Sequence, residues 1–368
     1  MSSNPSSEVF GSSTPPNTVN KIPWLFSARV DLLTFLGSAL VSLGLLAIGA
    51  AMGWLDSESP RWSWIVGILL IDVAHVYATG FRVYFDRHER SRRPWLYGLT
   101  PLLSFLVGWA VYSEDIELFW RLLAYIAVFH FVRQQYGWVA LYRARGGETG
   151  RLGWWIDSTA IYFATLYPLV YWHSQLPRAF WWFREGDFAT ISIDVAFWLR
   201  PFYWAVLATY IARTVVRGIF RGEVNPGKDI VVITTALCWY LGIITFNSEY
   251  AFLVTNVIIH GVPYMVLTYW YRYRSRPLPA GSAAFRLSRF LGILWMLAYA
   301  EELLWDSGIW HERTWLFGSQ WQIGQLETLL VPLLAVPQLT HYVLDGFIWK
   351  RKSNTGFSVM IDSRSPHR

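Results

Sequence analysis

The sequence predicts an all-α, polytopic integral-membrane helix bundle of about ten transmembrane helices with both termini cytoplasmic, and three observations predict it. Of the 368 residues, 54% are hydrophobic and only 15% are charged. Several apolar runs reach the roughly 20 residues that a helix needs to cross a bilayer. Lys and Arg concentrate in alternate loops, as they do on the cytoplasmic side of membrane proteins. The tail to residue 29, with 82–94, 143–151, 213–228, 272–289 and 350–368, holds 24 of the 31 basic residues. The opposite loops hold five, Arg61, Arg178, Arg184, Arg200 and Arg313, together with acidic groups such as Asp56, Glu58, Glu114, Asp115, Glu301, Glu302 and Asp306. An even number of spans with both ends inside satisfies that alternation.

In chain order, residues 1–23 are rich in Ser, Pro and Asn and lack an apolar core or cleavage pattern. They read as a disordered cytoplasmic tail, so the first apolar helix directs insertion. The bundle occupies 24–350, with helices near 30–54, 62–84, 95–112, 118–142, 153–173, 198–218, 228–246, 249–272, 285–305 and 323–349. Many of the 23 Trp and 20 Tyr fall at the ends of these runs, where amphipathic rings prefer the headgroup layer. The stretch 174–197, with Trp181, Trp182 and Phe183, is too polar to span and reads as an interfacial segment. Gly261-Val262-Pro263 is a candidate break in the eighth helix. Residues 351–368 form a basic cytoplasmic tail. No tandem repeat is visible. The architecture suits a multi-pass protein of a bacterial inner (cytoplasmic) membrane.

The net charge of +6 and pI near 9.3 follow from topology, so the basicity names no nucleic-acid partner; the partner it implies is the lipid bilayer. The cluster Arg87, Arg90, Arg92 and Arg93 favours anionic headgroups, though topology alone accounts for it. The single cysteine, Cys238, excludes an internal disulfide and any Cys-rich metal motif. No Walker loop, dinucleotide fingerprint, His-Glu-x-x-His motif or nucleophile elbow is present.

Chemistry therefore rests on polar residues inside the membrane, which are costly and point to function. His75, His130, His260 and His341 lie on the second, fourth, eighth and tenth predicted helices, all running from outside to inside. The first three come about 12 or 13 residues after their helix starts, roughly 18–20 Å from the outer edge. His341 falls deeper, although Pro332 and Pro337 stand ready to kink its helix and shift its register. Each histidine has a polar neighbour at helical spacing: Asp72, Gln134, Asn256 and Asp345 respectively. The pattern suits a metal ion, iron first and copper or zinc next, held by three or four imidazoles and oriented by the carboxylates. Direct ligation by Asp72 or Asp345 is the alternative. Arg133, near mid-membrane beside His130, is expected to pair with Asp72 or Asp345, as a structural ion pair or a clamp on a substrate carboxylate. Tyr77, Tyr136 and Tyr264 are candidate hydrogen-bond or proton donors. His88 and His311 are loop residues and His173 an interfacial one.

The isolated histidines on several helices resemble those of bacterial membrane carotenoid dioxygenases, a resemblance that implies one iron held between helices. The paired His-x-x-x-His and His-x-x-His-His boxes of membrane desaturases and hydroxylases are absent. The expected function is thus a metal-dependent membrane oxidoreductase or oxygenase acting on a lipophilic small-molecule substrate (lipid, isoprenoid, carotenoid or quinone) and drawing on an electron donor. The alternatives are a b-type haem carried by two of the histidines, a transporter or proton-coupled carrier using the same His, Asp and Arg residues, and a non-catalytic scaffold subunit.

Overall fold

The structure, a computed structural model, describes residues 22–274, 282–351, 354, 357 and 358. The two predicted tails lie almost wholly outside the described residues. Eleven principal helices follow one another, and no strand occurs among the described residues. They are α1 (Ala28–Ala51), α2 (Arg61–Arg82), α3 (Pro94–Glu114), α4 (Ile116–Arg145), α5 (Arg151–Ser174), α6 (Val195–Arg221), α7 (Pro226–Thr245), α8 (Glu249–Tyr273), α9 (Ala283–Trp310), α10 (Glu327–Leu334) and α11 (Val336–Ile348). Seven of them, α1, α2, α3 and α6 to α9, are long and apolar enough to cross a membrane, which marks a helical membrane protein.

Helix starts follow ordinary capping chemistry. The Asp115 carboxylate accepts the Leu118 N–H at 2.9 Å, Ser282 accepts from Phe285 at 3.2 Å, and Pro94 and Pro226 occupy first turns, where a missing N–H costs nothing. At the other end of α6, Gly222 takes φ +62°, which glycine adopts without strain.

The helical segments fall where the apolar runs place them, except that the last divides at Ala335 into α10 and α11. Pro332 and Pro337 flank the division, and each removes a backbone donor. The 174–197 segment folds back over one end of the bundle: Phe180 and Phe188 are buried against Trp172, and Arg178 donates to the carbonyls of Ile243 at 2.6 Å and Phe246 at 2.8 Å. Of Trp181, Trp182 and Phe183, the first is exposed and the other two are partly buried. Glu301 and Glu302, assigned to a loop by charge, instead sit inside α9 and are buried.

Helix α8 is central: 83% of its apolar window is buried, against 17% for the peripheral α6 and α9. It runs unbroken through Gly261 and Pro263, so the expected break is absent. Gly261 serves close packing instead. A Cβ there would lie 2.6 Å from Ile71 Cγ2 and 3.2 Å from the Ile71 carbonyl oxygen, and its absence lets α8 lie against α2. Four helices close a ring: α2 touches α8 and α11, and α4 touches both of these from the other side.

At the basic end of the bundle, Glu148 and Asp157 gather Arg143, Arg213, Arg217 and Lys228 from α4, α6 and α7. Lys228 Nζ lies 2.8 Å from Glu148 and 3.0 Å from Asp157, and Arg217 lies 2.6 Å from Glu148; Arg143 also pairs with Asp157. Burial alone would raise the Glu148 carboxyl, but Lys228 beside it, with Asn225 and Arg217, holds it down at about 2.

Candidate metal centre

The four-helix ring carries one histidine on each member, and all four side chains are buried. His75, His130 and His341 each stand fourteen residues past Arg61, Ile116 and Glu327, the first residues of α2, α4 and α10. His341 is therefore level with the others, not deeper. The sequence count began at 323, just before the 3-10 turn Gly324–Leu326 that precedes α10.

The ring nitrogens converge. His75 Nε2 is 3.1 Å from His260 Nε2, and His130 Nε2 is 3.1 Å from His341 Nε2. Ligand atoms of His75, His130 and His341 all lie within 4.8 Å of one another, so this buried group can hold a metal ion. His260 joins it through His75.

Ring geometry tests the fit. A first-row ion about 2.0–2.1 Å from each nitrogen sits about 3.2 Å from each ring centre, so ligands at right angles keep centres about 4.5 Å apart, tetrahedral ones about 5.2 Å and opposite ones about 6.4 Å. The observed separations are 4.5 Å for His130–His341, 4.7 Å for His75–His260, 4.9 Å for His75–His341 and 5.2 Å for His130–His260. His75 and His130 are 6.4 Å apart with planes 21° from parallel. These two oppose each other, and the other two stand beside both. A porphyrin between His75 and His130 would need the space that His260 and His341 fill, so the haem alternative does not fit.

Comparison with family models, with curated proteins and with solved structures finds no match. The site must be read from its own surroundings.

With Nε2 turned inward, each Nδ1 faces outward. His75 Nδ1 is 3.6 Å from Asp72 Oδ1, and neither atom has another partner. His130 Nδ1 is 3.7 Å from Asp345 Oδ2. His341 Nδ1 meets Thr79 Oγ1 at 2.7 Å, and Thr79 in turn meets the Tyr264 hydroxyl at 2.9 Å. A carboxylate or hydroxyl accepting Nδ1–H would fix the tautomer that leaves Nε2 free to ligate. The ring faces are packed as well: Phe131 stacks on His260 at 3.4 Å, and Tyr342 on His130 at 4.9 Å.

Several expected neighbours behave differently. Asp345 serves His130 across the α4–α11 contact rather than His341 on its own helix. Gln134 donates to the His260 carbonyl at 2.8 Å, pinning α4 to α8 instead of facing His130. Asn256 bonds the Phe252 carbonyl at 3.1 Å and Thr255 Oγ1 at 3.0 Å; it lies in the π-helical stretch Leu253–Val257, whose wider turn upsets the spacing-of-four rule. Arg133 is exposed, bonded to the Tyr162 hydroxyl and stacked 4.8 Å over Tyr136. At about 100° per residue the buried arc of α4 runs from His130 through Gln134, Trp138 and Phe131 to Gln135, and Arg133 falls about 60° outside it. Its pairing with Asp72 or Asp345 is not realised, and Tyr136 goes with it, away from the histidines.

Of the other tyrosines, Tyr264 joins the site, while Tyr77 turns to Glu301. Sequence reasoning missed Thr79, four residues after His75 on α2, and Glu301. The Glu301 Oε1 accepts the Trp305 indole N–H at 3.2 Å, and its Oε2 is buried without a partner. The signal for Thr79 was its helical spacing from His75; for Glu301 it was an adjacent acidic pair at the end of an apolar run.

Proposed function

We propose that this chain is a metal-dependent membrane oxidoreductase of oxygenase type, with iron held by His75, His130, His260 and His341, acting on a lipophilic substrate such as an acyl lipid, isoprenoid, carotenoid or quinone. The observation that carries the reading is the convergence of four buried imidazoles from four helices, each with its Nε2 turned inward. An ion held by one opposed pair with two rings at its side would suit six-coordinate geometry, which favours iron over tetrahedral zinc.

The metal, when bound, supplies redox chemistry with dioxygen, using electrons from an external donor. The chain's own residues do the rest: Thr79 takes up His341 Nδ1 at 2.7 Å, the Asp72 and Asp345 carboxylates stand 3.6 and 3.7 Å from His75 and His130 Nδ1 where they favour the ligating tautomer, and Phe131 and Tyr342 fix the ring planes of His260 and His130. Placement midway along the helices favours a substrate that arrives through the bilayer. Ten spans with both termini cytoplasmic, in a bacterial inner membrane, complete the proposal; they rest on the one-sided distribution of Lys and Arg.

Metal analysis with an absorption spectrum on detergent-purified protein tests the reading. It requires stoichiometric iron in the wild type and its loss in His130→Ala and His341→Ala. Protein that is fully active without metal would overturn it.

A second reading, a proton-coupled carrier, has one observation in its favour: α9 packs along the α2 segment that carries Asp72 and buries the acidic pair Glu301 and Glu302. Substrate flux through proteoliposomes without reductant would favour this reading.

A further inference from the structure

A cleft of about 390 Å³ opens at the basic end of the bundle between the last turns of α4 and the first turns of α5, and neither the metal centre nor the bundle core uses it. Arg151 begins α5 at its mouth, followed by Leu152, Trp154 and Trp155, all exposed. Basic and aromatic residues together at a helix start are the signature of the headgroup layer. One wall is apolar, formed by Tyr136, Val139 and the Trp154 ring, with the Trp154 indole N–H donating to the Tyr136 hydroxyl at 3.3 Å.

Two features point to a ligand. Ser158 lines the cleft, is 4% exposed, and its hydroxyl has no partner; leaving a buried hydroxyl unmet costs roughly 1–3 kcal/mol. The second feature is the balance of charge. Arg143 and Glu148 both reach the cleft, but Arg143 is taken up by Asp157 and by the carbonyls of Glu148 and Gly150. The Glu148 carboxylate is taken up by Lys228 and Arg217. Among the described residues nothing pairs with Arg151, which leaves one uncommitted cation over one uncommitted hydroxyl.

We infer that this cleft seats a single anionic phospholipid, its phosphate on Arg151, a headgroup or glycerol oxygen on Ser158 Oγ, and the start of an acyl chain along Tyr136 and Val139. The volume lies near the lower end of ordinary small-molecule pockets, about 300–1,000 Å³. It admits headgroup and glycerol and leaves the acyl tails in the bilayer.

Native mass spectrometry on the full chain in detergent tests this with phosphatidylglycerol, phosphatidylcholine and inorganic phosphate as separate probes. Wild type should retain one phosphatidylglycerol in preference to phosphatidylcholine and bind no inorganic phosphate at the same concentration. Arg151→Gln should weaken retention about tenfold and Ser158→Ala about fivefold, while Arg221→Gln, an exposed arginine at the end of α6 that does not line the cleft, changes nothing. Equal retention of the zwitterionic lipid, binding of inorganic phosphate alone, or wild-type retention by Arg151→Gln would each overturn the inference. Because Arg151 and Ser158 are remote from the histidines, metal content stays at the wild-type level in both variants, and this test fails or succeeds separately from the proposed oxygenase.

Discussion

Thr79→Val isolates the support of one ligand without touching any ligand. Valine keeps the shape of threonine and removes only the hydroxyl that meets His341 Nδ1 at 2.7 Å and Tyr264 at 2.9 Å. His341 is 1% exposed and Thr79 3%, so water has little access to replace it. Leaving a buried donor unmet costs about 1–3 kcal/mol. Loss of a group that orients a ligand weakens metal binding by about 10- to 100-fold, or roughly 1.4–2.8 kcal/mol. The two routes to the magnitude agree. The assay is competitive titration of the metal-loaded protein with a chelator, read as metal-to-protein ratio. Thr209→Val is the control, because that hydroxyl is exposed and bonds its own helix at the Ala205 carbonyl, 2.7 Å away. A Thr79→Val affinity within twofold of wild type would refute the view that the Thr79 hydroxyl holds His341 in its ligating tautomer.

Other outcomes follow from the same geometry. Gly261→Ala drives a methyl against the Ile71 backbone; it should lower stability by about 1–3 kcal/mol and weaken metal retention, because His260 and His75 ride on the two helices forced apart, and unchanged melting and metal content would contradict it. Glu148, whose acidity is strengthened from its ordinary 4.5 to about 2 in the folded chain, contributes stability that is full above pH 4.5 and lost as pH falls toward 2; the difference is about 3 kcal/mol. Thermal melts of wild type between pH 6 and 2 should therefore drop more steeply than those of Glu148→Gln, which starts lower at pH 7. For topology, the sole cysteine, Cys238, is buried, so single cysteines introduced at the exposed positions 88, 147 and 223 should label from the cytoplasmic side and those at 57, 185 and 312 from the opposite side; labelling of both sets from one side would contradict ten spans.

The helices were legible because length and apolar composition act locally: a run of twenty apolar residues has few alternatives in a membrane. The four histidines were legible for a related reason, since a polar side chain in such a run stands out. What could not be read was rotation about each helix axis. Spacing alone made Arg133 a neighbour of His130, whereas packing against α5 turned it out toward Tyr162. The i+4 relation tied Asp345 to His341, but the contact of α11 with α4 gave it to His130. Non-helical turns were the other blind spot: the π segment around Asn256 and the 3-10 turn before α10 each moved a residue off its expected face or level, and neither leaves a mark in hydrophobic periodicity.

His130 and His341, whose nitrogens meet at 3.1 Å, are 211 residues apart in the chain. At about 5–20 residues per second, translation takes roughly 10–40 s to deliver the second after the first. Throughout that interval the nascent protein is an incomplete chelator, with His75, His130 and then His260 already in place and the last donor still unmade. For the proposed metal centre, capture of an ion would thus be tied to the arrival of α11, and a chain stalled before it carries the fold's central helix but not its full donor set. Occupancy of such a centre would record that synthesis and insertion have passed α11.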